Sequence, residues 1–168
     1  MATELYDLTV PAFLRGFAAM SAFLTKGEQW AKGNGIDPAD LLTAKLYDDM
    51  APLTAQIQRA SDTAKNAMVR LGGVDSVAML DDESTFADLQ ARIAKTVAFL
   101  ESVPRSAIDG QEARPVQLVT PGRTVDFTGQ GYALAFALPN FYFHVTTAYA
   151  ILRLKGVPVG KLDYLGNA

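Results

Sequence analysis

The chain has no cysteine and a single histidine in 168 residues. Without thiolates, and with one imidazole, a single subunit cannot build a zinc finger, a three-histidine centre, an HExxH helix, a CxxC redox pair or a Cys/His dyad. Charge of one sign is also missing: 15 Lys and Arg stand against 18 Asp and Glu, a formal net charge of -3. The basic residues Lys26, Lys32, Lys45, Arg59, Lys65, Arg70, Arg92 and Lys95 are scattered, so no nucleic-acid footprint is expected. The amino terminus, MATELYDLTV, carries acids where a secretory leader would carry lysines, and with the missing cysteines this reads as a cytoplasmic protein. One long hydrophobic run exists: Phe127 to Leu152 contains no Asp, Glu, Lys or Arg. Gly129-Gln130-Gly131, Pro139-Asn140 and His144 interrupt it, which favours the most enclosed helix of a bundle over a membrane span.

What remains is helical patterning with a hydrophobic content of 49%, enough for one domain over residues 1–168. Thr9 is a good N-cap with Pro11 in the first turn, and Val10, Phe13, Leu14, Phe17, Met20 and Leu24 recur at spacings of three and four up to about Lys32. Gly33-Asn34-Gly35 ends this helix, and Asp37-Pro38 opens a short helical turn through Leu41, Leu42 and Leu46. Met50, Leu53, Ile57, Ala60, Ala64, Ala67 and Leu71 make a second long stripe, ended by Gly72-Gly73. Pro52 lies either in that helix's first turn or at a kink in a longer helix from Pro38. Thr85 with Asp88 resembles a capping box ahead of a third helix carrying Phe86, Leu89, Ile93, Val97 and Leu100, which Pro104 stops.

Between Pro115 and Thr128 the period falls to two around Pro121-Gly122, predicting a small hairpin or extended loop with a type II turn. A fourth helix then runs to about Lys155 with a break at Pro139. Four long helices in a chain of this size predict an all-α four-helix bundle.

The segment LPNFYFHVTTAYAILRLKGVPVGKLDYLG, together with LYDLTVPAFLRG and ARIAKTVAFLESV, closely resembles a group of bacterial proteins catalogued as a domain of unknown function, a branch of the DinB/YfiT-like superfamily. The resemblance spans essentially the whole chain and implies a DinB-like bundle with a crossover between helices, often a homodimer. Better-known relatives hold a divalent metal with three histidines, one on the second helix and two four apart on the last. Some of them are thought to be hydrolases or thiol-dependent transferases. Here the last-helix pair falls at Asn140 and His144, and the second helix offers Asp48, Asp49 or, two turns on, Gln56. An amide is a poorer ligand than imidazole.

The implied site is therefore a pocket around Asp49, Asn140 and His144, holding either no cofactor or a divalent metal, with Tyr142 as a further ligand-binding candidate. His144 is the candidate catalytic residue, as general base or metal ligand; a histidine bonded within an apolar helix pair is the plainer alternative. One of Asp48 and Asp49 could instead cap a helix starting at Met50. Trp30, Phe141, Tyr142, Phe143 and Tyr149 could line an apolar pocket, although Phe141, Val145, Ala148, Tyr149 and Leu152 also form an ordinary core stripe. Asp62 and Lys65 read as a solvated pair on one helix, and Gly129-Gln130-Gly131 as a glycine-bearing helix start rather than a phosphate loop. Three functions follow: a binder of a small-molecule ligand at a degenerate metal site, a weakly metal-dependent enzyme, and a dimeric interaction protein without catalysis.

Overall fold

The computed structural model describes residues 4–166. Four long segments form the bundle: α1 (Leu5–Gly33), α3 (Leu53–Gly72), α4 (Phe86–Ser102), and a last helix built from α6 (Gly129–Tyr132), a π-helical turn (Ala133–Ala137) and α7 (Leu138–Leu154). Both α1 and α3 pack against α4 and α7, so α1 and α3 stand on opposite corners. The two connections across the diagonal carry the short elements. The first holds α2 (Pro38–Leu42); the second holds α5 (Arg105–Ile108), β1 (Pro115–Thr120) and β2 (Arg123–Thr128). A last short helix, α8 (Lys161–Leu165), lies on α1, held by a Lys26–Asp163 ion pair.

The expected stripes form the core: Phe13, Phe17 and Met20 of α1, Ile57 and Ala64 of α3, Leu89 and Leu100 of α4, and Phe141, Ala148 and Leu152 of α7 are buried. α1 and α7 approach closely because position 16 is glycine. A Cβ there would lie 2.7 Å from the Phe141 ring tip, and that ring is wedged edge-on between Phe13 and Phe17 at centroid distances of 4.9 and 5.1 Å.

The helix ends differ from expectation in two places. α1 begins four residues before Thr9, which sits inside the helix with its hydroxyl donating to the Leu5 carbonyl at 2.8 Å. The cap is distant: the Tyr6 N–H donates to Asp109 Oδ1 at 2.9 Å, so a side chain beyond α5 satisfies a first-turn donor. α3 begins at Leu53 with Pro52 as its N-cap residue, so neither Asp48 nor Asp49 caps it and no kinked helix joins it to α2. The signals at Asp37, whose side chain accepts from the Ala39 N–H, and at the Thr85/Asp88 capping box act as read.

The hairpin pairs Val116 with Phe127 and Leu118 with Val125 across the two-residue loop Pro121-Gly122, where Gly122 has φ +78° as position i+2 of a type II turn requires. Gly129 then starts the last helix hard against the chain, since a Cβ would meet the Gln111 carbonyl oxygen at 2.1 Å. The hydrophobic run Phe127–Leu152 is the end of β2 and nearly all of the last helix, whose Tyr132, Ala137, Phe141, Val145, Ala148 and Leu152 are buried within the bundle. By length and composition α1 is apolar enough to cross a membrane, but half of its most apolar stretch is buried inside the bundle.

Candidate functional site

Polar residues on α3 recur on one face: Gln56, Arg59, Thr63, Asn66 and Arg70 follow one another at steps of three and four. The antiparallel last helix presents His144, Asn140, Phe136 and Tyr132, each four residues from the next. In an unbroken α-helix three such steps would rotate Tyr132 roughly 120° away from His144. The π turn between them takes up one extra residue, about 100° of rotation, and returns both to a common face. Pro139 follows directly, and the break expected there is this wider turn rather than a kink.

Three hydrogen bonds tie the two helices. His144 Nδ1 lies 2.8 Å from Gln56 Oε1, Asn140 Nδ2 donates to Thr63 Oγ1 at 2.7 Å, and Arg70 Nη1 donates to the Tyr132 hydroxyl at 3.0 Å. The Gln56 amide is oriented by its Nε2, which donates to the Ala51 carbonyl at 2.8 Å, so Oε1 is the atom facing the imidazole. That fixes the tautomer: Nδ1 carries the proton and Nε2 keeps a lone pair. Thr63 in turn donates to the Arg59 carbonyl at 2.7 Å. With its NH2 committed to Thr63, Asn140 has its Oδ1 left as an acceptor.

Between these rows lies a cavity of about 290 Å³ bounded by α3, α6, the π turn, α7 and, from β1, Leu118. Nε2 of His144 has no protein partner among the described residues. His144 is 7% exposed. Burial, aided by the nearby Arg59 guanidinium, lowers the His144 pKa to about 4. The imidazole is therefore neutral at pH 7, an acceptor at Nε2. Burial also raises the Tyr132 hydroxyl pKa against the opposing pull of Arg70, so the phenol stays protonated.

Of the sequence candidates, Asn140 and His144 come together as spaced. Asp49 does not join them: it is exposed with Asp48 in the turn before α3 and lines no part of the cavity. Its place beside the imidazole is taken by Gln56, the candidate two turns on. Tyr142 points elsewhere, accepting from Arg15 Nη2 at 3.0 Å on the α1 side. Phe141 is core, Phe143 is exposed, and Tyr149 packs on Phe23 and Tyr164. The aromatic walls of the cavity are Tyr132 and Phe136 instead, stacked at 5.7 Å. Sequence reading missed these and the α3 row, whose signal was the spacing 56, 59, 63, 66, 70.

The donor set does not fit a divalent metal. No group of three His, Asp or Glu side chains placed to hold a metal ion is found among the described residues. One imidazole nitrogen is held by Gln56, the free Oδ1 of Asn140 is a neutral amide oxygen and a poorer ligand than imidazole, and Arg59 places positive charge beside the ring.

Comparison with known proteins is consistent with this architecture. The family described as "Domain of unknown function (DUF1993)" matches residues 5–165. A crystal structure of a DinB family member protein from Shewanella denitrificans superposes with a TM-score of 0.88 at 39% identity, covering 98% of this chain and 93% of that one. No curated protein matches.

Proposed function

Since the chain belongs to the DUF1993 family and has the DinB-like bundle fold, we propose that it binds a small organic molecule in the groove between α3 and α7, without a resident metal. The observation that carries this reading is the oriented, unpartnered Nε2 of His144 at a polar cavity whose volume lies at the small end of ligand sites, which run from roughly 300 Å³ upward. Nε2 opens onto the cavity rather than being sealed in the core, and a ligand hydroxyl or N–H donating to it would take the place of water there.

Binding is favoured over proton-transfer catalysis by the same imidazole. A base with a pKa of about 4 is poorly matched to abstracting protons at neutral pH. The rigid amide partners Gln56 and Asn140 suit recognition, since they hold acceptors in place and carry no charge to transfer.

The only histidine is its own reporter, because its ring signal in an NMR spectrum needs no assignment. A fragment library titrated into labelled protein is expected to yield compounds that move the His144 resonance saturably and lose affinity in Asn140→Leu. Hits that bind without moving it would overturn the assignment of the groove. Elemental analysis of untagged protein is expected to find less than stoichiometric metal. Stoichiometric metal lost in His144→Ala, with the fold intact, would replace this reading by a metal-dependent one.

A further inference from the structure

The groove carries an uncompensated positive charge. Arg59 and Arg70 both line it, and neither forms an ion pair among the described residues; Arg70 meets only the neutral Tyr132 hydroxyl and ring. The single carboxylate at the cavity edge, Asp62, is already engaged by Lys65 at 3.0 Å and Arg92 at 3.1 Å on the far side of α3. This local excess stands out in a chain whose net charge is -3. Guanidinium groups left without carboxylates beside a partly enclosed cavity are the usual recognition chemistry for planar or tetrahedral oxyanions.

The remaining polar atoms narrow the class. His144 Nε2 and Asn140 Oδ1 are both acceptors, because their donor partners are settled by Gln56 and Thr63. An anion alone would leave them unmatched, and an ammonium group would meet two arginines. Resting on the small-molecule reading above, we propose that the groove takes a small hydroxylated anion, its carboxylate or phosphate facing Arg59 and Arg70 and its hydroxyl donating to His144 or Asn140. The apolar wall of Leu118 and Phe136 accommodates a short carbon skeleton.

The test follows the His144 ring signal of the full chain during titration with glycolate, gluconate and glycerol 3-phosphate, each against an uncharged counterpart: ethylene glycol, glucose and glycerol. Acetate serves as the anion without a hydroxyl. At least one hydroxylated anion is expected to shift the signal saturably, with the carboxylates and the phosphate ester separating the two oxyanion types. The doubly substituted R59Q/R70Q protein should bind it about tenfold or more weakly, while Arg70→Lys, which keeps the charge, should lose less. Unchanged melting temperatures identify folded variants, and Arg59, being exposed, is a safe site should Arg70→Gln alone perturb folding. Equal binding of the neutral counterparts, or unaltered affinity in R59Q/R70Q, would overturn the anion assignment while leaving a small-molecule groove standing. Failure of every hydroxylated anion would also overturn it, and the fragment titration decides separately whether the groove binds anything.

Discussion

The two sides of α3 carry polar clusters of opposite character. Toward α4, Arg92 is buried to 2% side-chain exposure and its guanidinium reaches Glu83 at 2.9 Å, Asp81 at 2.8 Å, Asp62 at 3.1 Å and the Leu80 carbonyl at 2.9 Å. Gln58 completes Glu83 at 2.8 Å, and of the buried side-chain polar atoms only the Arg92 Nε is left without a partner among the described residues. Toward α7, the hydrogen bonds are comparably short, but His144 Nε2 and Asn140 Oδ1 have no protein partner, and Arg59 and Arg70 form no ion pair among the described residues. The first cluster pins the long irregular connection between α3 and α4, helped by Lys95 donating to the Ala78 carbonyl at 2.9 Å. Its charges are matched by one another; the second cluster leaves two guanidinium groups without a carboxylate partner among the described residues. Charge compensation, more than polarity, separates the scaffold cluster from the candidate site in this molecule.

The largest expected effect tests the scaffold side. Arg92→Leu would strand the Glu83 carboxylate, whose side chain is only 8% exposed, and leave the 73–85 connection unanchored. Burial works against the charge of Glu83, but bonds from Arg92 and Gln58 override it and hold its carboxyl below the ordinary range. Breaking a buried pair from one side costs about 3–5 kcal/mol, and because Asp81 and Asp62 are 60% and 38% exposed, a value of about 3 kcal/mol is expected by urea unfolding at pH 7. Binding in the groove should survive in whatever fraction is folded. A loss below about 1 kcal/mol would mean the network is no scaffold, and the contrast would fail.

The contrast was only half legible in the sequence. Helical stripes, the Asp37 and Thr85/Asp88 caps and the Pro121-Gly122 turn are local signals, readable because the groups that satisfy each other lie within a few residues. The start of α1 was not, because its cap, Asp109, arrives from 103 residues away. Asp62 and Lys65 read as a solvated pair, yet Lys65 is buried and Asp62 also binds Arg92 from α4. For the site, the four-residue spacing placed Asn140 beside His144 correctly. The preference for Asp49 as partner put charge ahead of geometry, whereas the helix starting at Leu53 brings the neutral Gln56 to the imidazole. The α3 row resembled a solvated face because nothing local says that an opposing helix covers it.

A middle-sized effect comes from pH. The folded His144 pKa of about 4 lies below its ordinary 6.5, so between these values the unfolded chain binds more protons than the folded one. The stability this contributes is fully present above about pH 6.5 and is lost as pH falls toward 4. Discounted for water reaching the open edge of the ring, the loss is about 1–2 kcal/mol. His144→Gln should flatten the stability profile in that window and leave the steeper fall below pH 4.5, where Glu83 and the other depressed carboxylates protonate, untouched. Urea unfolding of both proteins across the range gives the difference directly. An unchanged slope in the variant would mean that His144 titrates freely and is not held neutral by its surroundings.

The smallest effects belong to the groove's own hydrogen bonds. Asn140→Ala removes the donor to Thr63, but Thr63 keeps its bond to the Arg59 carbonyl, and the half-buried position lets water replace the amide. Tyr132→Phe frees Arg70 while keeping the ring that stacks on Phe136. Each should cost no more than about 1 kcal/mol in unfolding experiments, well under the Arg92 variant, while Asn140→Ala weakens binding of any molecule that moves the His144 signal. If either substitution instead destabilised the fold as strongly as Arg92→Leu, the α7 side would be a second scaffold, and the open atoms along it would be defects of packing rather than a place for a ligand.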